Sequence, residues 1–282
     1  MNFIIVRYAE IGTKGKNRGM FEKKLVENIH YYFKKNKKSY EKIYRKTGRI
    51  LIKTKNKVRL DTIFGISSVS FSERTSSNID TIKKVIKNKI RDFSKKTKFR
   101  ITTQRLDKTL PFTSMEMNKI IGQFVVDNTD AKVSLEEYDT EIFIELIAKQ
   151  AYIFTKKFPG PGGLPVGTQG KVYSLITESE DSFLSSVLIM KRGCSIIPVC
   201  YKDSDISKIR RTVKKLERYH NKELKLKKIS NIIELKFKKI KAIVYPYGLD
   251  NITEKSGNIL ELYPLLGYDL KNSEIFKNEN TA

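Results

Sequence analysis

The residues best placed to do chemistry lie in one turn near the middle of the chain, where three carboxylates fall within four positions: Glu178, Glu180 and Asp181. Residues 172–176 before the turn are apolar or small and predict a buried strand, and residues 182–192 after it predict a helix. In open α/β sheets, backbone N–H groups at such a strand-to-helix turn bind phosphate groups. The turn therefore has the position of a phosphate site, but its carboxylates would repel an anionic triphosphate.

A stretch rich in glycine and proline precedes this strand and contains Pro159, Gly160, Pro161, Gly162, Gly163, Pro165 and Gly167. These residues cannot all lie inside a helix or a central strand, so the stretch predicts a linker between domains. The segments predicted downstream alternate between strand and helix, at 195–201, 206–219, 224–229, 231–239, 240–245, 260–265 and 269–276. This alternation indicates a parallel sheet that positions the carboxylate turn.

Two α+β modules are predicted upstream of the linker from the spacing of apolar residues. The first is a ferredoxin-like unit with strands at 2–8, 49–54 and 66–71, a helix at 20–37 and a short helix before the last strand. The second has helices at 79–93 and 114–128, a strand at 98–105 and a hairpin of strands 142–148 and 151–158.

Positive charge is concentrated at the start of the chain. The protein has 56 Lys and Arg against 31 Asp and Glu, a net charge of +25, and residues 1–60 alone hold 18 basic and 4 acidic residues, a net charge of +14. This asymmetry favours a polyanion partner, nucleic acid in particular. Lys14, Lys16 and Arg18 occupy a glycine-containing loop from which they can contact phosphates, although an ordinary solvated loop is the alternative.

Cysteine and histidine offer no readable catalytic arrangement. Cys194 and Cys200 flank a predicted strand, which places them too far apart for a disulfide, and they form no C-x-x-C pair. We therefore expect both to be small buried apolar residues. His220 follows a basic helix, and we expect it to be exposed to solvent.

The linker and the turn together resemble the junction between the THUMP and PP-loop domains of the tRNA 4-thiouridine synthetase (ThiI) family. That family shows G-G-x-P-x-G-T-Q, a strand, S-G-G-x-D-S, a helix and R-G-C. The matching residues are Gly162, Gly163, Pro165, Gly167, Thr168, Gln169, Asp181, Ser182, Arg192, Gly193 and Cys194. Thr177 replaces the first serine, and Glu178 and Ser179 replace both glycines. Those glycines let backbone amides approach a pyrophosphate, so the resemblance implies a degenerate PP-loop.

Residues 6–18, Val-Arg-Tyr-Ala-Glu-Ile-Gly-Thr-Lys-Gly-Lys-Asn-Arg, resemble the family's N-terminal ferredoxin-like domain. The resemblance implies α+β ferredoxin-like (1–72) and THUMP (73–165) domains, followed by an α/β parallel-sheet PP-loop domain (166–282) of the adenine nucleotide alpha hydrolase type. It also implies a short form without a rhodanese domain. Tyr263 stands where the family's R-P-L-[IL]-x-Y segment has arginine, so a second part of the nucleotide pocket departs from the pattern.

The resemblance also assigns binding residues. Candidate RNA-binding residues are Lys14, Lys16, Arg18, Arg100, Arg105, Lys108, Thr168 and Gln169, and the expected partner is the acceptor region of a tRNA. A functional PP-loop would hold ATP and Mg²⁺ through Leu175, Ile176, Thr177, Asp181 and Ser182. No catalytic residue and no metal site formed by protein side chains is assigned.

Three functions remain open. The chain is a tRNA-binding protein of the 4-thiouridine synthetase type with impaired or lost ATP-dependent sulfur transfer, an active ATP-dependent tRNA uridine 4-sulfurtransferase, or a non-enzymatic RNA-binding assembly factor. A homodimer, or an active sulfurtransferase as partner, fits the first. The sequence has no apolar run of about 18 residues and begins at once with a predicted strand, so we expect no membrane span, no signal peptide and a cytoplasmic location.

Overall fold

The protein is described by a computed structural model that covers residues 2–106, 109–235, 240, 242–248 and 259–267. The chain divides into two compact units. Unit 1 comprises Met1–Asp61 and Ile66–Gly162, and unit 2 comprises Thr62–Gly65 and Gly163–Ala282.

Unit 1 is built on one nine-stranded mixed sheet. Its strands are β1 (Asn2–Arg7), β2 (Lys42–Lys46), β3 (Arg49–Lys53), β4 (Ser68–Ser76), β5 (Lys98–Arg105), β6 (Lys132–Val133), β7 (Thr140–Ile147), β8 (Gln150–Phe154) and β9 (Phe158–Pro159). Its α-helices are α1 (Arg18–Lys35), α2 (Ile79–Lys89) and α3 (Ser114–Thr129). The strand order is β2-β3-β1-β4-β8-β7-β5-β6, and β9 also pairs with β4.

Strand β4 joins the two halves of this sheet. Residues 68–73 of β4 pair antiparallel with β1, and residues 73–76 pair antiparallel with β8. The predicted boundary between the ferredoxin-like and THUMP domains, at residues 72 and 73, thus falls inside one strand. The division of this part into two domains stays a prediction.

Helices α2 and α3 cover one face of the second half of the sheet. Their apolar residues, among them Ile86 and Ile121, form one core with Ile142 and Ile144 of β7. Because side chains alternate along a strand, the residues between them on β7 point to the opposite face. A second cluster lies there and contains Phe3, Ile5, Leu51, Ile147, Tyr152 and Phe154.

Unit 2 is an open parallel sheet. In chain order its elements are β10 (Lys171–Leu175), α4 (Asp181–Lys191), β11 (Ser195–Tyr201), α5 (Ile206–Leu216), β12 (Lys227–Ile229), β13 (Ala242–Val244) and β14 (Leu260–Leu262). Within the described residues all neighbouring strands of this sheet are parallel, in the order β12-β11-β10-β13-β14. The chain order reverses at β10, and ligands of open α/β sheets bind beside the carboxyl ends of the strands at such a switch point.

The predicted fold class is confirmed, since an α+β part precedes a parallel-sheet α/β part. One strand was not predicted, and two local predictions are wrong. Strand β2 was missed and forms a hairpin with β3 around Gly48, whose φ of 74° suits a tight turn. The short helix predicted after residue 54 is replaced by turns. Strand β8 ends at Phe154, because Phe158 leaves the hairpin and pairs with β4.

Two predictions fall wholly or partly on residues outside the described ranges. The helix predicted at 231–239 is, over its described part, a single 3-10 turn at Ile232–Glu234. The segment predicted at 269–276 lies outside the described residues.

Candidate functional site

The turn between β10 and α4 hydrogen-bonds its own backbone amides. The Thr177 amide donates to Ser182 Oγ at 2.8 Å, and the Asp181 amide donates to Ser179 Oγ at 3.1 Å. The Ser182 amide donates to the Ser179 carbonyl at 3.2 Å. In a phosphate site, such amides point at the anion, whereas here oxygen atoms of the turn already accept them.

Ser182 makes several of the hydrogen bonds that hold this turn. It is fully buried, and its hydroxyl also lies 2.8 Å from the Thr177 hydroxyl. Its carbonyl accepts from Ser186 Oγ at 2.6 Å, and Ser186 Oγ lies 2.8 Å from Ser174 Oγ on β10. This chain of hydroxyl groups ties the first turns of α4 to the strand beside it.

The two glutamates of the turn are exposed and bind neighbouring groups of unit 2. Glu178 Oε1 accepts the backbone N–H of Asp205 at 2.8 Å, directly before α5. Glu180 Oε1 lies 3.2 Å from Lys215 Nζ on α5. Neither Glu178 nor Ser179 has a positive φ, so side chains are accommodated without backbone strain where the ThiI pattern has glycines.

The other residues expected around a nucleotide lie inside the fold. Leu175 and Ile176 are fully buried and belong to apolar clusters, and the Ile176 amide donates to the Val199 carbonyl at 2.8 Å. Asp181 is half-buried at the start of α4. The structure therefore brings Thr177, Asp181 and Ser182 together in the turn. The amide of Ile176 is instead used in a hydrogen bond to the neighbouring strand.

The glycine- and proline-rich stretch caps the end of α4. The amides of Gly167, Thr168 and Gln169 all donate to the Gly193 carbonyl, at 2.8, 3.0 and 3.1 Å. Gly193 has a φ of 93°, and a Cβ built on it would lie 2.5 Å from Thr168 Oγ1. Thr168 Oγ1 itself donates to the Pro165 carbonyl at 2.8 Å, while Gln169 is exposed. Thr168 is thus used within unit 2, and Gln169 is the more accessible of these two RNA-binding candidates.

The three basic candidates near the N-terminus differ in accessibility. Lys14 Nζ lies 5.5 Å from the centre of the Phe21 ring. Arg18 Nε pairs with Glu22 at 2.8 Å, and its Nη2 donates to the Tyr8 hydroxyl at 2.8 Å. Lys16 is exposed in the short 3-10 helix Gly15–Asn17. Only Lys16 of the three extends into solvent with no such contact among the described residues.

The candidates of the second module are partly engaged. Arg100 Nη1 donates to the Leu135 carbonyl at 3.3 Å, and Arg100 Nε lies 3.7 Å from a Glu141 oxygen. Arg105 Nη1 donates to the Phe112 carbonyl and orders the chain before α3. Lys108 lies outside the described residues.

Sequence reasoning missed a buried charge cluster in unit 1, which we call the Glu145 cluster: Arg7, Arg49 and Glu145. Glu145 is 2% exposed and accepts from Arg7 Nε at 2.8 Å and from Arg49 Nε at 2.7 Å. Burial lowers the pKa of Arg7, and the carboxylate of Glu145 opposes that shift. Arg7 Nη2 is buried without a hydrogen-bond partner in the described part of the chain. Strand alternation placed Glu145 among apolar neighbours, but no sequence pattern pairs residues 138 positions apart.

The prediction that His220 is exposed is wrong. His220 is 6% exposed, because α5 ends at Leu216 and the following turn directs the ring inward. Its Nε2 lies 2.9 Å from Ser195 Oγ, and its Nδ1 accepts the Lys222 amide at 3.1 Å. Cys200 is buried and Cys194 half-buried, both are free thiols, and burial raises the pKa of each.

The described residues offer neither a membrane-spanning helix nor a metal site. No helix in the described ranges has the length and apolar character that crossing a membrane requires. Across the same ranges, no group of three or more His, Cys, Asp or Glu side chains is arranged to hold a metal ion.

Three family models match consecutive parts of the chain. They are the ThiI ferredoxin-like domain over residues 3–70, the THUMP domain over residues 76–156 and the thiamine biosynthesis protein (ThiI) over residues 167–247. The third match includes the turn, helices α4 and α5, and the residues from Gly167 onward that cap the end of α4. These matches agree with the resemblance that the sequence motifs indicated.

Named relatives and solved structures agree with these models. A probable tRNA sulfurtransferase of Thermococcus kodakarensis is 36% identical over 262 residues, which cover 84% of this chain and 68% of the relative. Seven further relatives with that name are covered over 51–67% of their length, so the chain spans about half to two thirds of most of them.

The crystal structure of PH1313 from Pyrococcus horikoshii matches with a TM-score of 0.88 and 30% identity, and it covers all of both chains. The crystal structure of a 4-thiouridine synthetase in complex with RNA and with bound ATP matches with a TM-score of 0.78 over 99% of this chain and 84% of that chain. Its identity of 23% supports a shared fold. From the extent and identity of these matches, the chain belongs to the tRNA sulfurtransferase (ThiI) family.

Proposed function

We propose that the chain is an RNA-binding member of this family that recognises the acceptor region of tRNA and whose ATP-dependent sulfur transfer is impaired or lost. The observation that carries the second part is the turn between β10 and α4. Its amides donate to oxygen atoms of Ser179 and Ser182, Glu178 places a carboxylate where the ThiI pattern has a glycine, and Glu180 adds a second carboxylate.

Two features of this turn argue against a bound triphosphate. Binding would break the hydrogen bonds of at least two amides and would bring phosphate oxygens near two exposed carboxylates. Lys215 neutralises part of the charge of Glu180, whereas Glu178 contacts a backbone amide and keeps its full charge. We therefore derive no reaction step through ATP or Mg²⁺.

RNA binding is supported by the positive charge of the chain and by the names of its sequence relatives. Residues 1–60 carry a net charge of +14, which favours a polyanion. The relatives are named tRNA sulfurtransferases, and the solved 4-thiouridine synthetase was crystallised with RNA. A homodimer, or a complex with an active sulfurtransferase, remains a prediction about how such a protein would act.

Calorimetry with ATP and Mg²⁺ tests the loss of nucleotide binding. We expect no measurable heat with the wild-type chain at millimolar ATP. The double variant Glu178→Gly with Ser179→Gly removes one carboxylate and one blocking hydroxyl, so it should gain affinity if the loop is the defect. The control, Glu136→Gly with Glu137→Gly, places two glycines at exposed positions of unit 1 instead and should give no heat of ATP binding. Micromolar ATP binding by the wild-type chain would refute the proposed loss.

Binding of tRNA is measured separately, by filter retention at several salt concentrations. We expect affinity that falls steeply as salt rises, because counterions are released at each phosphate contacted. Equal affinity for tRNA, duplex DNA and heparin would instead favour a general polyanion-binding assembly factor.

An active sulfurtransferase is the second candidate, favoured by the match of the ThiI model over residues 167–247 and by the retained Asp181 and Ser182. Comparing 4-thiouridine in tRNA from cells with and without the protein decides between the two. Loss of 4-thiouridine that purified wild-type protein restores in the presence of ATP and a sulfur donor such as sulfide would establish the enzyme.

A further inference from the structure

Helix α5 and the turn after it carry a row of five cations, which we call the α5 row: Lys208, Arg210, Arg211, Lys214 and Arg218. All five side chains are exposed, and none forms an ion pair within the described part of the chain. Lys215, which is half-buried, is the helix cation that has a carboxylate partner, Glu180. The row is therefore a block of uncompensated charge in unit 2, separate from the basic N-terminal region.

The apolar side of α5 fixes which way the row faces. Ile209 and Leu216 are fully buried, and Val213 is 7% exposed, all within the core of unit 2. Because residues three and four apart share a helix face, the exposed cations occupy the opposite side. At a rise of about 1.5 Å per residue, positions 208 to 218 extend over about 15 Å.

Helix stability does not account for this charge pattern. Lys208 lies in the first turn of α5, near the end where the helix dipole is positive, so it is placed unfavourably. Arg210 and Lys214 are four positions apart and repel each other, as do Lys214 and Arg218. A bound polyanion would supply the missing negative charge.

The turn after β10 holds the start and the end of α5. Glu178 accepts the N–H of Asp205, whose carboxylate caps the helix by accepting the Ser207 amide at 2.9 Å. Glu180 contacts Lys215 in the last turn of the helix. Two carboxylates of the turn, one of which replaces a glycine of the phosphate-binding pattern, thus support the helix that carries the row.

We propose that the α5 row is an RNA-binding surface that contacts the phosphate backbone. This inference rests on the proposed function and adds a contact region in unit 2 to it. In one strand of a duplex the axial spacing of phosphates is about 3.4 Å, so a surface of about 15 Å faces roughly four of them. Such contacts position a nucleic acid without reading its sequence.

Membranes and proteins fit the row less well. A helix that lies on a membrane buries its apolar side in lipid, but the apolar side of α5 is already buried in unit 2. Stable protein interfaces are centred on apolar or aromatic residues, whereas this face presents cations. A phosphate backbone requires only accessible positive charge.

The test compares three variants of the full chain for binding to transcribed tRNA between 50 and 200 mM salt. The neutralised variant is Lys208→Gln, Arg210→Gln, Arg211→Gln and Lys214→Gln. The matched control removes four exposed charges from unit 1, Lys84→Gln, Lys87→Gln, Lys95→Gln and Lys119→Gln. The charge-keeping variant exchanges lysine and arginine at the four α5 positions and shows whether substitution itself disturbs the fold.

We expect the neutralised variant to lose about tenfold or more in affinity, and its salt slope to fall by about three, because up to four contacts of about 0.9 counterions each disappear. The control should lose less than about threefold, and the charge-keeping variant should bind like the wild type. If the neutralised variant binds tRNA with unchanged affinity, the α5 row is not an RNA-binding surface. An equal loss of affinity in the control would also overturn the proposal, because it would show that only the total charge of the protein matters.

Two further outcomes distinguish a failure of the α5 row as a contact surface from a failure of tRNA binding as such. If the wild-type chain fails to bind tRNA, the proposed function fails first, and the inference fails with it. Vesicles of phosphatidylserine and phosphatidylcholine supply the other comparison. Vesicle binding that the neutralised variant loses, with tRNA binding unchanged, would overturn RNA as the partner of the α5 row.

Discussion

A carboxylate that contacts two cations is buried in unit 1, whereas the glutamates of the turn in unit 2 are exposed to solvent. In the Glu145 cluster of unit 1, one carboxylate at 2% exposure is shared by two arginines. In the turn of unit 2, Glu178 and Glu180 are exposed and contact a backbone amide and a lysine. Burial raises the cost of losing a partner, whereas water replaces an exposed partner. We therefore expect the first arrangement to determine stability and the second to determine what the surface binds.

The largest effect should come from Glu145→Gln. The substitution leaves the buried Arg7 and the half-buried Arg49 without their counter-charge and should destabilise the protein by about 3–5 kcal/mol. Urea unfolding followed by circular dichroism measures it. The control Glu137→Gln removes a carboxylate that is 87% exposed and paired with Lys98 at 3.4 Å, and should change stability by less than about 0.5 kcal/mol. Similar losses of unfolding free energy in both variants would contradict the expectation that burial makes the Glu145 pairs more important than an exposed pair.

Ser182→Ala should have the next largest effect. It removes the hydroxyl that accepts the Thr177 amide and leaves buried polar groups without a partner, which costs about 1–3 kcal/mol. Ser179→Ala, at an exposed position of the same turn, is the control and should cost less than about 1 kcal/mol. If Ser182→Ala proves neutral by thermal unfolding, the buried hydroxyl chain does not hold the turn.

Glu178→Gln should have a smaller effect. The neutral side chain can still accept the Asp205 amide, so only the charged component of that hydrogen bond is lost, about 0.5–1 kcal/mol. Thermal unfolding at low and high salt measures it. Asp203→Gln, on the exposed loop before α5, makes a comparable change of charge and should have no effect. If Glu178→Gln lowered the free energy of unfolding by more than about 2 kcal/mol, Glu178 would contribute to stability as a buried carboxylate does.

The smallest effect belongs to the pair Glu180 and Lys215. A double-mutant cycle with Glu180→Gln and Lys215→Gln should give a coupling energy of about 0.2–1 kcal/mol, since the side chains of Lys215 and Glu180 are 42% and 67% exposed. Salt at about 1 M should abolish it, because the screening length is then about 3 Å. A coupling that survives this salt concentration would show that the pair is more shielded than its exposure suggests.

Sequence patterns predicted much of this fold because they are local. The apolar run before Thr177 and the glycine at position 193 placed a strand, a turn and a helix close to their observed limits. The hydrogen-bond partners of the turn were not predictable in this way. Glu178 was expected to act as a charge in a phosphate site, but its contact with Asp205 spans 27 positions and depends on how α5 packs.

The same reason explains the residues that were missed. Glu145 occupies an alternating strand, where a polar residue normally faces solvent, and only the pairing of distant strands brings Arg7 to it. His220 follows a basic helix, and its burial depends on where that helix stops. Each error arose where long-range packing overrode a local pattern.

Strand β4 has a practical consequence for anyone who divides this protein for expression. Cutting the chain after residue 72 would separate backbone groups of one strand that bond to β1 from those that bond to β8. Both fragments would then expose an open edge prone to aggregation. Fragments that end beyond Gly162 keep the ladder whole and are the better starting point for studying the first unit alone.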